Sequence, residues 1–524
     1  MYDQTEQLPE VMILGTPIDN LSLDSTVHRI LSMIKDYQFD WQPKQVVTVN
    51  VDFLMNSLSW FPFVSARHPE LLDILRNADL ATADGMPIVW LSRLLNAPLQ
   101  ARVTGADMVP ALAKKFAQTG HSIYFLGGNG DIGQQAADKL IKDYPGLNVV
   151  GVDSPFVYTE GEKMLTADER DKVILEKINK VKPDVLLIGF GNPKQELWFN
   201  RNSHKLKAAV TIGIGGTYEF IVGNVSRAPL WVQKSAFEWL YRILQDPKRL
   251  WKRYAIAIPK LGVLTIPLLL SNLLQRKKNR ELIHDKKPYP CDIVQGWNSY
   301  EVKVKLSKRL DSQSMQVFID NWENYSCEYK NLIFDFIDVE MIDSNALGML
   351  VRFYKRLQKN QVNVSSIGLI NDDIVRLLKL THVWDLINES EERNNLPLFF
   401  SEKNKNLNNN KHIIIAEQNE KLTIASLVGR LDGSAIALMN FDESIKLFGD
   451  GDCILDLSSL SFLDSTGLKF FFHLQRDLKK RNKQMILINP TETITQLLEI
   501  TKLHDFFKMN DSKANAILSL SNPA

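Results

Sequence analysis

The run PDVLLIGFG at residues 183–191 decides the fold class of this chain. Its apolar core is continuous rather than alternating, which is typical of a strand buried on both faces of a sheet. The glycines that follow favour a tight loop. Three similar runs occur elsewhere in the first half of the chain, namely QVVTVN (45–50), HSIYFLGG (121–128) and AAVTIGIGG (208–216).

Amphipathic helical patterns separate these apolar runs. Two of the clearest are DMVPALAKKFAQTG at 107–120 and DIGQQAADKLIKDY at 131–144. Alternating strands and helices predict an α/β domain with a parallel, Rossmann-like sheet. In such sheets the ligand binds at the carboxyl ends of the strands.

Several polar or glycine residues fall at those predicted strand ends. They are Asn50, Asp84, Gly127, Gly191 and Gly215. Asp84 is the notable one, because it follows a short apolar run in LATADGMPIVW (80–90). A carboxylate at the end of a buried strand is costly to desolvate unless it has a partner or a task. An Asx turn beside a glycine is the alternative explanation.

The composition limits the class of protein. With 524 residues, the chain is long enough for about three or four domains of roughly 100–200 residues each. A hydrophobic content of 45% and a charged content of 23% are ordinary for a soluble globular protein, and the net charge of +1 gives no pull toward nucleic acid. The three cysteines have no disulfide or metal spacing, which indicates a reducing compartment. The polar, acidic start of the chain is unlike a signal peptide.

The segment YAIAIPKLGVLTIPLLLSNLLQRKKNR (254–280) is mostly apolar and ends in a basic cluster. About 20 uninterrupted apolar residues are needed to span a bilayer. Pro259, Lys260 and Pro267 interrupt this run, so it is predicted to lie in the membrane interface rather than to span it. A helix docked on the protein itself is the alternative.

The second half of the chain contains an internal repeat. Residues 332–361 resemble residues 453–482, and each copy continues into a short strand and another helix. Asp343 of the first copy aligns with Asp464 of the second. The polar run SEKNKNLNNNKH separates the copies as a linker. We therefore expect two small domains of the same fold.

The loop in IYFLGGNGDIGQQ has G-x-G-x-x-G spacing, formed by Gly128, Gly130 and Gly133. Asp153 follows about twenty residues on, so the loop formally meets the dinucleotide fingerprint. A sugar nucleotide also carries a pyrophosphate, and the loop alone does not separate the two ligands. Its place in the middle of the domain favours a phosphate-binding or simply tight turn over an NAD site.

Several stretches, taken in order, resemble the WecG/TagA/CpsF glycosyltransferases of bacterial surface polysaccharide and teichoic-acid synthesis. They include TVNVDFL (48–54), ATADGMPIVW (81–90), RVTGADMVP (102–110), GFGNPKQELW (189–198) and EWLYRILQDPKRLWKR (238–253). The resemblance implies inverting, metal-independent transfer without a cofactor. The sugar, N-acetylmannosamine or a related one, passes from a UDP donor to an undecaprenyl-diphosphate-linked sugar at the cytoplasmic face of the membrane.

The resemblance also implies the catalytic residues. The aspartate of the DG motif is the family's presumed general base and corresponds to Asp84, which would take the proton of the attacking sugar hydroxyl. Thr48 and Asn50 are expected in the same pocket, and Gln195 in the GxPxQE loop could bind sugar or phosphate oxygens through its amide. Strand-end caps are the alternative for Thr48 and Asn50.

One arginine, three glycines and one glutamate form the implied donor-binding set. They are Arg102, Gly127, Gly128, Gly191 and Glu219. Arg102 is expected near the donor diphosphate, where a guanidinium can neutralise leaving-group charge, and a surface arginine is the alternative. Glu219 departs from the family, which often has aspartate at this place, so donor contacts there are expected to differ.

A basic, aromatic tail follows these motifs. Its arginines Arg242, Arg249 and Arg253 are implied by the resemblance to contact the membrane and the lipid diphosphate of the acceptor. Arginine suits phosphate, and the neighbouring tryptophans suit a membrane interface. An ordinary solvated basic helix is the alternative.

The two repeat copies resemble STAS domains, the fold of anti-sigma-factor antagonists and of sulfate-transporter tails. Regulatory STAS domains carry D-S-[ST]-G at a helix N-terminus, where a kinase phosphorylates the residue before the glycine. LDSTG in the second copy makes Thr466 the candidate, with a plain helix cap as the alternative. The first copy has Asn345 and Ala346 there, so it is expected to be a structural or constitutive binding domain.

The predicted organisation is therefore α/β throughout. The ranges are 1–255 for a glycosyltransferase domain, 256–287 for a membrane-associating segment and linker, and 288–400 and 411–524 for two STAS-like domains. The expected partners are a UDP-sugar, a polyprenyl-diphosphate-linked acceptor, the inner face of the cytoplasmic membrane and a STAS-binding protein. No nucleic acid is expected, and a homo-oligomer is compatible with the sequence. A catalytically silent, membrane-associated signalling scaffold is the alternative function.

Overall fold

The computed structural model describes most of the chain. The described ranges are 8–160, 167–225, 247–278, 291–295, 301–324, 331–360, 362–387, 413–419, 421–438 and 441–521, with residues 229, 232, 241 and 244. We call residues 8–278 the N-terminal domain, residues 291–387 the first repeat and residues 413–521 the second repeat.

The N-terminal domain alternates strands and helices along the chain. Its first elements are β1 (Leu8–Ile13), β2 (Thr16–Asn20), α1 (Leu23–Asp40), β3 (Lys44–Val49), α2 (Val51–Ser57), α3 (Pro69–Asn77), β4 (Leu80–Ala83), α4 (Met86–Leu94) and α5 (Gly105–Thr119). They are followed by β5 (Ser122–Gly127), α6 (Ile132–Asp143), β6 (Asn148–Asp153), α7 (Ala167–Val181), β7 (Val185–Gly189), α8 (Lys194–Asn202), β8 (Val210–Gly213) and α9 (Thr217–Val222).

Six of these strands form one parallel sheet in the order β4-β3-β8-β7-β5-β6. Val46, Val47 and Val49 of β3 are all buried, as expected for a strand covered on both faces. The predicted parallel α/β class is confirmed. The carboxyl ends of β4, β3, β8 and β7 are neighbours, and the loops that follow them meet at one edge of the sheet.

A long helix, α10 (Pro247–Lys278), follows this sheet and crosses the boundary expected at residue 255. Its residues Tyr254–Lys277 are, within the described part of the chain, the one helix long and apolar enough to cross a membrane by length and composition. One face is docked on the protein, because Lys260 Nζ donates to the carbonyl oxygens of Met55 (2.7 Å) and Leu58 (2.6 Å).

The opposite face of α10 is apolar and exposed. Its exposed side chains are Trp251, Ile256, Ile258, Val263, Ile266, Leu270, Leu273 and Leu274. One face of α10 therefore fits the alternative of a helix docked on the protein itself. The other face keeps the apolar surface that a membrane interface requires.

The two repeats have the same architecture. The first contains β9 (Asp292–Gln295), β10 (Glu301–Lys305), β11 (Arg309–Leu310), α11 (Ser312–Asn324), β12 (Asn331–Asp335), β13 (Met341–Ile342), α12 (Ser344–Lys359), β14 (Asn363–Ile367) and α13 (Asp372–Leu380). The second contains β15 (Ile413–Gln418), β16 (Leu422–Leu427), β17 (Gly429–Leu431), α14 (Gly433–Leu438), α15 (Phe441–Lys446), β18 (Asp452–Asp456), β19 (Leu460–Leu463), α16 (Leu468–Lys480), β20 (Met485–Ile488), α17 (Glu492–Ile500), β21 (Lys508–Asn510) and α18 (Lys513–Ser521).

The sheets confirm the internal repeat. Their strand orders are β14-β12-β10-β9 in the first repeat and β15-β16-β18-β20-β21 in the second, so four strands correspond among the described residues. In both, an antiparallel first pair is followed by parallel pairs. Each sheet is flanked by helices, as expected for a small α/β domain.

The repeats differ in how they join the N-terminal domain. One continuous hydrophobic cluster contains Val11 of β1, Leu264 of α10 and Leu350 of α12, so the first repeat shares its core with the N-terminal domain. The second repeat has clusters of its own, which include Phe471 and Ile486 and no residue of the N-terminal domain.

Candidate active site

Asp84 and Asn50 lie next to each other at the carboxyl edge of the sheet. Each is the first residue after its strand, and Asn50 Nδ2 donates to Asp84 Oδ2 at 3.4 Å. The other end of the Asn50 amide caps α2, because Oδ1 accepts from the backbone N–H groups of Asp52 (3.0 Å) and Phe53 (3.3 Å). Asn50 therefore fixes a helix and orients the half-buried carboxyl group of Asp84.

The backbone around Asp84 explains the DG motif. The Asp84 N–H donates to the Val49 carbonyl at 2.7 Å, which continues the β3–β4 pairing by one step. Gly85 then has φ of +138°, a conformation that a residue with a Cβ rarely adopts. The chain turns sharply here into α4, which leaves the carboxyl group at the edge of the sheet.

Arg102 lies at the same edge of the sheet, beside the end of β4. The Val103 N–H donates to the Ala83 carbonyl at 2.9 Å, so the Arg102 segment lies beside the end of β4. The Arg102 guanidinium is 3.8 Å from Asp107 Oδ2, and its side chain is largely buried. This largely buried guanidinium with a carboxylate partner differs from the surface arginine of the alternative explanation.

Thr48 is buried within the sheet. Its hydroxyl donates to the Gly213 carbonyl at 3.0 Å and joins β3 to β8. Thr48 thus lies beneath the edge where Asn50 and Asp84 emerge. In this structure its hydroxyl is used to link two strands whose loops form the candidate site.

Gln195 also joins loops of the site. Its Oε1 accepts from the backbone N–H groups of Gly191 (3.2 Å) and Gly215 (3.0 Å), and its Nε2 donates to Glu196 Oε1 at 2.7 Å. The side chain is buried. We predicted that this amide binds sugar or phosphate oxygens, whereas the structure uses it to hold the β7–α8 loop against the β8–α9 loop.

Glu196 is a residue that the sequence interpretation missed. Its Oε2 accepts from Asn192 Nδ2 at 3.4 Å, and Asn192 Oδ1 accepts from Asn56 Nδ2 at 2.7 Å, which links α8 to α2. Burial raises the pKa of the Glu196 carboxyl to about 8, so the group is mostly uncharged at neutral pH. An acid in the first turn of a helix is usually exposed to solvent and interacts with the helix dipole. The one sequence signal for a role of Glu196 in the site is its position next to Gln195.

The glycines after β5 pack against the protein itself. A Cβ on Gly127 would lie 2.8 Å from Phe190 Cδ1, and one on Gly128 would lie 3.2 Å from Tyr218 Cδ2. Both glycines have positive φ. A Cβ on Gly191 would meet nothing within 4 Å, so of these three only Gly191 has open space at that position.

Asp153, the acid that an NAD site would require, is bound to other residues of the protein. Tyr124 Oη donates to Asp153 Oδ2, and Lys177 Nζ pairs with Asp153 Oδ1. In a dinucleotide fold this carboxylate would accept from the ribose hydroxyl. These contacts support the interpretation of the glycine loop as a tight turn.

The remaining donor and acceptor residues lie at or beyond the described part of the site. Glu219 is in the first turn of α9, where its carboxylate accepts from Asn224 Nδ2 at 3.0 Å. Arg242 lies outside the described residues, and Arg249 and Arg253 are described only by their backbone in α10. Among the described residues, no group of three or more histidine, cysteine, aspartate or glutamate side chains could hold a metal ion.

Thr466 lies in the second repeat, in the loop between β19 and α16. It is buried, and within the described part of the chain its hydroxyl has no hydrogen-bond partner. The preceding Ser465 donates to Glu70 of α3 at 2.7 Å. The candidate phosphorylation site is therefore buried and lies next to a residue that contacts the N-terminal domain.

Comparison with known proteins places these observations in a family. The model of the glycosyl transferase WecG/TagA/CpsF family matches residues 11–279, and the STAS domain model matches residues 294–396 and 414–516. The solved structure of the anti-sigma factor antagonist SpoIIAA in its unphosphorylated form is 20% identical, covers 21% of this chain and 99% of its own, and has a TM-score of 0.17.

Two bacterial relatives share the name N-acetylglucosaminyldiphosphoundecaprenol N-acetyl-beta-D-mannosaminyltransferase. The one from Bacillus spizizenii is 30% identical over 208 residues, which cover 40% of this chain and 76% of the relative. The one from Staphylococcus aureus strain MRSA252 is 26% identical over 256 residues, which cover 49% of this chain and 92% of the relative.

A parallel α/β domain with this edge of polar groups, followed by two STAS domains, defines a glycosyltransferase with an appended STAS pair. The chain belongs to the WecG/TagA/CpsF family of glycosyltransferases. The family predicted from the motifs is confirmed for the N-terminal domain, and the STAS prediction is confirmed for both repeats.

Proposed function

We propose that this glycosyltransferase moves a sugar from a UDP donor to a sugar linked to undecaprenyl diphosphate, with Asp84 as the general base. The observation that supports this role most is the position of Asp84, half-buried at the sheet edge and oriented by Asn50. The names of the two relatives support N-acetylmannosamine as the donor sugar and a lipid-linked N-acetylglucosamine as the acceptor.

The proposed reaction is a single displacement. The acceptor hydroxyl loses its proton to the Asp84 carboxylate while its oxygen bonds to the anomeric carbon of the donor. The bond between that carbon and the β-phosphate oxygen of UDP breaks, and the electron pair leaves with UDP. Arg102, beside the end of β4, is the cation available to neutralise the departing diphosphate.

The two buried residues that open α8 have a positioning role in this proposal. Gln195 and Glu196 connect the loops after β7 and β8 with each other and, through Asn192, with α2. Because these loops lie at the carboxyl edge of the sheet, the two residues would fix how the loops are placed beside Asp84. We expect the donor to lie across these loops.

The enzyme is proposed to act at the inner face of the cytoplasmic membrane. The exposed apolar face of α10 would lie in the interface, with its other face held on the protein by Lys260. The basic tail, with Arg242, Arg249 and Arg253, would meet the lipid diphosphate there. This arrangement would place a membrane-embedded acceptor next to the enzyme without a spanning segment.

The STAS pair is proposed to regulate the enzyme or to recruit a protein partner. Thr466 remains the candidate for phosphorylation, which would add roughly −1.5 to −2 charge. Since Thr466 is buried and its neighbour Ser465 is bound to Glu70 of α3, a kinase would reach it only after this region has opened.

The test is an assay of the full-length protein with a panel of UDP-sugars and a vesicle-embedded diphosphate-linked N-acetylglucosamine acceptor. We expect acceptor-dependent release of UDP, fastest with UDP-N-acetylmannosamine. Asp138→Asn, an exposed aspartate on α6, is the matched control for any aspartate variant of the site. If no UDP-sugar is turned over while the protein still binds vesicles, the silent scaffold is the better description.

A further inference from the structure

The loop after β19 in the second repeat is seated on two helices of the N-terminal domain. Ser465 Oγ donates to Glu70 Oε1 of α3 at 2.7 Å, and Asn200 Nδ2 of α8 donates to Asp464 Oδ2 at 3.3 Å. Asn200 also hydrogen-bonds the Glu70 carboxyl group. One amide therefore lies between two carboxyl groups that come from different domains.

Both carboxyl groups are buried in this contact. Burial raises the pKa of Glu70, and burial together with the charges of Glu70 and Asp432 raises the pKa of Asp464 well above its usual range. Two carboxylates that share a buried site cannot both ionise without a large penalty. The docked state therefore holds a proton that the separated domains would release.

The other charged groups around the pair do not neutralise it. Arg201 of α8 lowers the pKa of Glu70 only in part, because its guanidinium is bound to the buried Asp171. Asp432, on the second repeat, is paired with Arg430.

His68, at the start of α3, caps that helix through Nδ1, and burial first of all lowers its pKa to about 4. It is therefore neutral at physiological pH. At the rim, Lys469 is paired with Asp168 and Lys502 with Glu160, and these side chains are partly exposed.

The equivalent loop of the first repeat makes a different contact. Asn345, which aligns with Thr466, donates to the carbonyl oxygens of Pro9 (3.4 Å) and Glu10 (3.3 Å) in β1. A Cβ on Gly348 would lie 3.1 Å from the Glu10 carbonyl, so α12 packs directly on that strand.

The free-energy cost of separating a repeat from the N-terminal domain would therefore differ between the two repeats. Removing the first repeat would open a shared hydrophobic core. Removing the second repeat would expose polar groups and leave its own core intact.

We propose that the second repeat is a releasable domain whose ligand is the N-terminal domain of its own chain, with the loop 464–467 as the docking surface. The first repeat is a fixed part of the N-terminal domain. Docking is linked to the candidate site because α8 carries the Gln195–Glu196 pair in its first turn and Asn200 near its end. This link to catalysis rests on the proposed function, whereas docking itself does not.

The experiment measures association rather than turnover. A protease site is inserted between residues 401 and 412 of the full-length protein, the chain is cut, and co-elution of the two pieces is followed by gel filtration from pH 5 to pH 9. We expect the pieces to stay together at low pH and to separate as pH rises. While the complex holds one extra proton, the association should weaken by up to about tenfold per pH unit.

Three variants and one control variant sharpen this result. Ser465→Glu adds a third carboxylate to the contact and should release the second repeat at every pH, whereas Ser458→Glu adds the same charge at an exposed turn and should not. Asn200→Asp should also cause release, and it leaves the second repeat unchanged. Glu70→Gln keeps an acceptor for Ser465 and should keep the pieces together with a much smaller pH dependence.

Either of two results would overturn the proposal. One is co-elution that is independent of pH and unaffected by Ser465→Glu and Asn200→Asp. The other is an unchanged pH dependence in Glu70→Gln. Acceptor-dependent UDP release is measured on the uncut protein in parallel, so a failure of docking can be told apart from a failure of the proposed enzymatic function.

Discussion

Two aspartates of this chain each follow a strand and accept from an asparagine amide, but they differ in burial and in their other contacts. Asp84 follows β4 and accepts from the Asn50 amide at 3.4 Å, and Asp464 follows β19 and accepts from the Asn200 amide at 3.3 Å. Asp84 is half-buried at an open edge, whereas Asp464 is buried and also accepts from the N–H groups of Thr466 and Gly467.

The comparison indicates that the role of a carboxyl group at a strand end depends on which groups can contact it. An accessible carboxylate oriented by one amide can accept a proton from a substrate. A carboxyl group surrounded by backbone donors and a second acid instead fixes a loop and joins two domains.

The largest expected effect is on turnover, which should fall in a variant of Asp84 but not in the same variant of Asp464. Asp84→Asn should lower the turnover by roughly the 10²–10⁴-fold typical of a lost general base. Asp464→Asn should leave turnover within a few fold of the wild type, because the contacts of Asp464 among the described residues are with Asn200 and with its own repeat. Steady-state UDP release measures both, and an equal loss in the two variants would remove the distinction.

The next largest effect is on the free energy of unfolding, which should fall more in a variant of Asp464 than in one of Asp84. Asp464→Ala leaves the buried N–H groups of Thr466 and Gly467 and the partly buried N–H of Gly433 without their acceptor, which should cost about 1–3 kcal/mol in the free energy of unfolding. Asp84→Ala removes a half-buried side chain and should cost much less. Chemical denaturation monitors both variants, and a more destabilised Asp84→Ala would contradict the assignment of roles.

The sequence was sufficient for the fold class and for part of the site. Continuous apolar runs and amphipathic patterns predicted the parallel sheet, since these periodicities depend only on local burial. The position of Asp84 followed from the same pattern, because the residue after a buried strand lies at the sheet edge. The internal repeat was visible as direct similarity between the two copies.

Contacts between distant residues could not be predicted. Ser465 and Glu70 are 395 positions apart, and no local pattern indicates that they meet. The same holds for Lys260, whose buried ammonium group is explained only by carbonyl oxygens more than 200 positions away. The buried role of Glu196 was hidden because burial depends on how the loops pack and not on helix position.

A smaller effect concerns the second acid of the site edge. The pKa of Glu196 is raised from 4.5 to about 8 by burial, so the folded state binds more protons than the unfolded chain between these values. Its contribution to stability is therefore present at low pH and falls as pH rises toward 8, by up to about 1.4 kcal/mol per pH unit. Denaturation at several pH values should show a shallower slope in Glu196→Gln, and an identical slope would place the titration elsewhere.

The smallest effect compares the two asparagines. Asn50→Ala removes the cap of α2 and should cost about 1 kcal/mol, whereas Asn50→Gly should cost only a few tenths. Turnover should fall in both variants, because Asp84 loses the amide that orients it. Asn200→Ala should leave the α2 cap and Asp84 unchanged. If thermal unfolding and UDP release did not separate Asn50 from Asn200 in this way, their amides would not have the distinct roles assigned here.

The central claim is a single displacement at Asp84, and the anomeric configuration of the product tests it most directly. The full-length protein is incubated with an α-linked UDP-sugar and the lipid-diphosphate acceptor, and the new glycosidic bond is examined by NMR. We predict inversion, that is, a β-linked product, because the acceptor oxygen attacks the anomeric carbon as UDP leaves. An α-linked product would contradict the account, since it would require two successive displacements or attack from the side of the leaving group.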